Sequence, residues 1–228
     1  MTGGRAILAV IPAFNEGPRV AEVVRGATVH LPVLVVDDGS TDDTARMAEA
    51  AGATVLVQWP NQGKGAALRA GFRHAIGAGY EAVVTLDADG QHDPDEIPAF
   101  LAVDAGDRAD LVIGRRDFGR MPPTRRLANR LGGMAFSWAV GVSVPDNQSG
   151  YRLISRRLME RLLDSGESGF EYEVEMITTC IRAGYVLVWV PIRTIYGGES
   201  SHIEPWRHFT SFLRIVRAAR HDVRKPLG

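Results

Sequence analysis

Two aspartates spaced two apart, Asp87 and Asp89, close a short apolar run and are followed by Gln91. At an extended strand end, residues i and i+2 project to the same side. Two carboxylates held that way repel each other and raise one pKa unless a cation lies between them. Carboxylate oxygens joined by a side-chain amide suit a hard divalent ion, so Asp87, Asp89 and Gln91 are the expected ligands of Mg²⁺ or Mn²⁺. An Asp-x-Asp pair alone is a weak signal, since many such pairs cap turns or sit in solvent. Its weight comes from what accompanies it along the chain.

Two further apolar runs end in polar residues. Pro12-Ala13-Phe14-Asn15-Glu16 follows the first and Asp37-Asp38-Gly39-Ser40 the second. Asn61-Gln62-Gly63-Lys64-Gly65 then opens a helix, where glycines allow close backbone approach and Lys64 offers a point charge beside an anion-favouring N-terminus. A glycine-rich loop with a solvated lysine is the plainer alternative. The dinucleotide G-x-G-x-x-G and the Walker spacing are both missing. Further on come Gly114-Arg115-Arg116, Asp146-Asn147-Gln148-Ser149-Gly150-Tyr151-Arg152 and Arg193. Arg125, Arg130, Arg156 and Arg157 read equally well as solvated helix faces. Arg116, Arg152 and Arg193 stand at ends of apolar segments or in turn-like motifs, where planar guanidinium groups suit phosphate recognition.

The elements that must position these residues alternate between strand and amphipathic helix in the first half, the pattern of an open, Rossmann-like α/β sheet, mostly parallel, with helices on both faces. Strands are expected at 7–12, 33–36, 54–57, 82–86 and 110–113. The intervening helices include one capped by Ser40 or Thr41, one at 65–76 and one at 95–103. The second half is less regular, with helices near 125–140, 155–163 and 171–183 and a last strand at 186–191. Ligands of such sheets bind outside the carboxyl ends of the strands, which is where the three polar loops fall.

No repeat or low-complexity linker divides the 228 residues, so a single domain is expected. Its parts are a donor-binding half (1–115), an acceptor-binding half (116–204) and a C-terminal segment (205–228). With 26 Lys and Arg against 27 Asp and Glu, nothing in the charge suggests nucleic acid as a partner. The single cysteine, Cys180, fits a reducing cytoplasm. A signal peptide and a membrane-spanning run are not expected, so any membrane substrate is reached from the surface.

Taken in order, these motifs resemble family 2 glycosyltransferases with the GT-A fold, and within them the dolichyl-phosphate mannosyltransferase-like, or polyprenyl-phosphate hexosyltransferase, branch. The resemblance covers roughly residues 6–203. It implies that Pro12, Phe14, Asn15, Glu16, Asp38, Gly63, Lys64, Asp87, Ala88 and Asp89 bind a nucleotide sugar, and that Arg116, Ser149, Arg152 and Arg193 lie near an acceptor phosphate. The divalent ion would bridge the donor diphosphate.

The reaction implied is displacement at the anomeric carbon with inversion, with Asp89, Arg116, Arg152, Arg193 and Asp146 as the catalytic set. A polyprenyl phosphate acceptor is already ionised near neutral pH and needs no strong base. A sugar hydroxyl would need one, and Asp146 is then the candidate, although it also reads as a turn-capping aspartate. A soluble or glycan acceptor, or a non-catalytic nucleotide-sugar-binding partner of a membrane protein, are the alternatives. From Trp206 to Lys225 six Arg or Lys accompany one Asp, with Phe209, Phe212, Leu213, Val216, Ala219 and Val223 at helical spacing. Such a basic amphipathic helix suits docking at the cytoplasmic face of a membrane, or on a membrane partner protein. The same stripe would equally serve to pack the helix on the domain.

Overall fold

The computed structural model describes residues 5–107, 109–116, 123–164, 171–193, 216 and 220; for 105–107, 123–131 and 171 the backbone alone is described. Seven strands form one sheet: β1 (Ile7–Ala13), β2 (Val33–Asp37), β3 (Thr54–Val57), β4 (Ala82–Thr85), β5 (Leu111–Arg116), β6 (Arg152–Ser155) and β7 (Leu187–Ile192). Their order is β3-β2-β1-β4-β6-β5-β7. β1 pairs in parallel with β2 and β4, β2 with β3, and β5 with β7. β6 runs antiparallel to both its neighbours, β4 and β5.

The helices among the described residues are α1 (Gly17–Thr28), α2 (Thr44–Ala50), α3 (Lys64–Gly77), α4 (Ile97–Asp107), α5 (Pro123–Val140), α6 (Arg156–Leu162) and α7 (Glu171–Arg182). Strand side chains alternate between two core layers, as the two-residue period requires. Leu8, Val10, Leu34, Val36, Val83 and Ile154 meet α3, α5, α6 and α7 on one face. Ala9, Ile11, Val33, Val35, Val84 and Leu153 meet α1 and α4 on the other. Each buried aliphatic side chain contributes roughly 1.5–3 kcal/mol, so the six central positions of β1 and β2 alone outweigh any surface pairing. At Gly71 a Cβ would lie 2.5 Å from a Val10 methyl, which is how closely α3 lies on β1.

Two local expectations are corrected. The sequence places Arg152 in a turn-like motif and Ser155 at the start of a helix, yet 152–155 form β6, the element that inserts between β4 and β5. Ser40 and Thr41 do not cap α2, which begins at Thr44 with Asp43 at the cap position. Their groups are used elsewhere: Ser40 Oγ accepts from the Asn15 amide at 2.9 Å, and the Thr41 amide donates to Asn15 Oδ1 at 2.8 Å. Those bonds hold Asn15 at a positive φ of 56° and lace the loops after β1 and β2 together.

Of the C-terminal segment only Val216 and Arg220 are among the described residues. Val216 is buried in the same core cluster as α5, and the Arg220 guanidinium lies 3.7 Å from the Trp138 ring centroid. These two contacts fit packing on the domain; the rest of 205–228 lies outside the described residues. Among the described residues no helix is long and apolar enough to cross a membrane.

Candidate active site

The antiparallel course of β6 brings the start of that strand to the same sheet edge as the carboxyl ends of β1, β2, β4 and β5. A cleft of about 480 Å³ opens there, within the usual size of a small-molecule site. Pro12, Phe14, Glu16, Asp38, Gly63, Lys64, Asp87, Ala88, Asp89, Gln91 and Arg116 all line it. So do Gln148 and Glu173, which the sequence reading did not single out.

Each wall has a local cause. The Asp38 carboxylate is buried and accepts the Gln62 amide at 2.8 Å and the Gly63 amide at 2.7 Å, fixing the loop that begins α3 against the end of β2. Gly63 sits at φ 90°, a backbone conformation that favours glycine, and sends Lys64 into the cleft. Phe14 is half-exposed at the mouth, an apolar face of the kind a nucleobase stacks on. Behind β4, the Asp87 amide donates to His92 Nδ1 at 3.2 Å, and His92 and Phe100 both pack on Tyr151. Tyr151 in turn donates to the Asp93 carbonyl at 3.1 Å. This aromatic stack ties the Asp87 loop to the residues that lead into β6.

The charges are paired. Lys64 Nζ lies 2.6 Å from Asp87 Oδ1 and 2.7 Å from Glu173 Oε1. Burial would raise the Asp87 pKa, but the Lys64 ammonium outweighs it and brings the carboxyl down to about 2. The same two carboxylates hold Lys64 above its ordinary value against its own burial. Burial keeps His92 below the usual histidine range despite the nearby Asp87. Arg116 forms a fork on Asp146, Nε to Oδ2 at 2.7 Å and Nη2 to Oδ1 at 2.9 Å.

The donor set for a divalent cation fits in kind: Asp87, Asp89 and Gln91 offer hard oxygens on one wall. Asp89 Oδ1 accepts the Gln91 amide at 2.9 Å, which turns the chain back beside Asp87. Gly150 keeps this corner open, because a Cβ there would lie 2.6 Å from Asp87 Oδ2 and 2.9 Å from Lys64 Nζ. Among the described residues there is no cluster of three or more His, Cys, Asp or Glu arranged for a metal. The candidate donors are thus two carboxylates, one of them engaged by Lys64, and an amide.

Five expected site residues do not line the cleft. The Asn15 side chain serves the loop lacing described above. Arg152 is 1% exposed, with Nε on the Ser149 carbonyl at 2.7 Å and Nη1 on the Glu173 carbonyl at 2.6 Å. Its guanidinium is engaged by backbone oxygens, so it organises the loop from 147 to 152 and is not placed to meet a phosphate. Ser149 is wholly buried in the same loop. Asp146, the candidate base, is buried with both oxygens on Arg116 and cannot reach an acceptor in this arrangement. Arg193 follows β7 at the same edge, paired with Asp93 at 3.0 Å and Glu96 at 3.3 Å while its side chain stays 73% exposed.

Comparison with known proteins defines the class. The chain belongs to glycosyl transferase family 2, whose family profile matches residues 8–163. It is therefore a sugar-transferring enzyme, and its sheet is the GT-A form that the sequence motifs imply. It is 35% identical over 201 residues to the undecaprenyl-phosphate mannosyltransferase of Micrococcus luteus, covering 82% of each chain. It is also 35% identical to the polyprenol monophosphomannose synthase of Mycolicibacterium smegmatis, covering 81% of this chain and 76% of that one. Among solved structures, glucosyl-3-phosphoglycerate synthase from Mycobacterium tuberculosis with phosphoglyceric acid superposes with a TM-score of 0.72 at 25% identity, over 99% of this chain and 82% of that one. The same enzyme with Mn²⁺, uridine diphosphate and glucosyl-3-phosphoglycerate gives 0.70 at 25% identity, with the same coverage.

Proposed function

We propose that this chain is an inverting hexosyltransferase that moves a hexose from a nucleotide sugar, of the GDP-mannose or UDP-glucose type, to a polyprenyl phosphate at a membrane surface. One observation carries the choice of acceptor: Asp87 and Glu173 are paired with Lys64 and Asp146 with Arg116, and Asp89, the remaining carboxylate beside them, is assigned here to the divalent cation. An acceptor that must lose a proton lacks a base there, whereas a phosphate oxygen ionised near pH 7 needs none. The names of the two 35%-identical relatives support the same acceptor class.

In this reading Phe14 and Pro12 pack on the nucleoside, and the Asp38-anchored loop brings Gly63 and Lys64 to the diphosphate. Asp87, Asp89 and Gln91 hold Mg²⁺ or Mn²⁺, as support from the Mn²⁺ and uridine diphosphate complex of the neighbouring enzyme suggests. A divalent ion there supplies charge neutralisation as the nucleoside diphosphate leaves. Arg116, oriented by Asp146, presents its guanidinium to the incoming phosphate, and Arg193 lies further out on the same edge. Catalysis then rests on positioning and fixed positive charge. Docking at the cytoplasmic face belongs to the same proposal, and no separate membrane partner protein is needed for it.

A soluble acceptor is the second reading, favoured by the phosphoglyceric acid bound in the M. tuberculosis enzyme. Donor turnover measured over a panel of nucleotide sugars separates them. Turnover of one donor that rises only when a polyprenyl phosphate is added supports the first reading. Turnover that rises with phosphoglyceric acid and ignores the lipid would replace it with the second.

A further inference from the structure

Glu173 has no role in the site expected from the motifs, yet its side chain is 3% exposed at the base of the cleft. Its Oε1 accepts from Lys64 at 2.7 Å, while Oε2 is buried without a hydrogen-bond partner among the described residues. A buried carboxylate with one oxygen unsatisfied is costly unless a cation stays beside it. Its backbone cannot retreat, because the Arg152 guanidinium donates to the Glu173 carbonyl at 2.6 Å. Lys64 is likewise rooted at the first turn of α3.

The two carboxylates that share the ammonium differ in access. Asp87 is 26% exposed to the cleft, and Glu173 is not. A dissolved cation can therefore compete with Lys64 for Asp87 but not for Glu173. We propose that Glu173 is a positioning residue that acts through Lys64: it is the partner that keeps the ammonium in the cleft once Asp87 turns to a divalent cation. The inference rests on the metal and donor assignment proposed above. Metal binding is then an exchange, in which the incoming ion takes over Asp87 while Lys64 remains on Glu173, beside the diphosphate.

The test is the affinity of the full chain for Mn²⁺ alone, read from the electron paramagnetic resonance of free Mn²⁺, and repeated with a nucleoside diphosphate. Four proteins form a double-mutant cycle: wild type, Glu173→Gln, Lys64→Met and the pair. Residues supporting a metal ligand typically change affinity by about 10–100-fold, so Glu173→Gln is expected to weaken Mn²⁺ binding about tenfold. Lys64→Met removes the competitor and tightens it, and adding Glu173→Gln to Lys64→Met then changes little. The same loss in both backgrounds, or none in either, would overturn the proposal. Should Lys64→Met unfold, Lys64→Arg carries the test, since a guanidinium that forks onto both carboxylates releases Asp87 less readily. Mn²⁺ affinity equal to wild type in Lys64→Arg would also overturn it. Failure of the wild type to bind Mn²⁺ with a nucleoside diphosphate removes the metal assignment itself, whereas wild-type binding with an additive cycle removes only the role of Glu173.

Discussion

Gly150 lies so close to Asp87 that a Cβ at position 150 would stand 2.6 Å from one carboxylate oxygen and 2.8 Å from the other. The Gly150 carbonyl is held in turn by the Thr85 hydroxyl, which donates to it at 2.7 Å from the end of β4. With the backbone at 150 held by Thr85, a side chain there must push the Asp87 carboxylate and Lys64 out of register. Gly150→Ala is expected to keep the fold and to weaken Mn²⁺-dependent binding of a nucleoside diphosphate by at least about tenfold, the scale of lost support to a metal ligand. Calorimetry with a thermal melt checks it. Wild-type affinity would mean that Asp87 is not a ligand.

In the proposed reading Asp146, which holds Arg116 through both its oxygens, orients that guanidinium and takes no proton. Loss of a general base costs about 10²–10⁴-fold, whereas loosening an arginine that keeps one acceptor costs less. Asp146→Asn should therefore reduce turnover by about tenfold and leave the shape of the pH–rate profile unchanged. A loss of a thousandfold or more, together with disappearance of an acidic limb, would restore Asp146 as the base.

Asp110 offers a test of stability away from the cleft. Its buried carboxylate receives the Arg157 guanidinium, the Ser155 hydroxyl at 2.9 Å and the Val186 amide at 2.9 Å, so it joins β5, β6 and β7. Burial raises its pKa, but Arg157 and the two neutral donors prevail and hold the carboxyl below the ordinary value. A group depressed in the folded state contributes stability above its unfolded pKa near 4 and loses it as pH falls through the folded value. Removing it also leaves the buried Ser155 hydroxyl and the part-buried Val186 amide without this acceptor, at about 1–3 kcal/mol. Asp110→Ala should thus lower stability at pH 7 by about 2–4 kcal/mol, with a smaller difference from wild type below pH 4. Urea melts at several pH values would show it; a pH-independent difference would contradict the ionic part.

How much of this was legible follows from what each element buries. β1, β2 and β4 are covered on both faces, so they stand in the sequence as continuous apolar runs whose ends announce the cleft. β6 has four residues and begins and ends with Arg152 and Ser155, so no period could be read from it. The burial of Arg152 and Ser149 is illegible for the same reason: without β6, nothing in the sequence indicates that their loop is drawn beneath the cleft. Glu173 left a faint signal. It lies on one helical stripe with Ile177 and Cys180, both buried, where a solvated glutamate does not belong.

The membrane surface has a candidate in α5. Met134, Trp138 and Val142 recur four apart along and just beyond this helix, at 60%, 66% and 40% exposure, with Arg220 against the Trp138 ring. Aromatic and basic groups together suit a lipid headgroup region, where each basic residue adds about 1 kcal/mol with anionic lipid. Met134→Ser combined with Trp138→Ser should reduce sedimentation with anionic liposomes at low salt, leave the melting temperature within a few degrees, and spare transfer to a short-chain, detergent-soluble acceptor. Unchanged liposome binding would shift docking to the 205–228 segment.

The most direct measurement is the product itself. The purified 228-residue chain is incubated with Mn²⁺, a panel of nucleotide sugars and either a polyprenyl phosphate in liposomes or phosphoglyceric acid, and the extracts are read by mass spectrometry. The expected result is one polyprenyl-phosphate hexose, formed from one donor, absent with chelator and lost in Asp89→Ala although that variant folds. A glycosylated phosphoglycerate without any lipid product, or a lipid product that forms equally well in Asp89→Ala, would contradict the assignment.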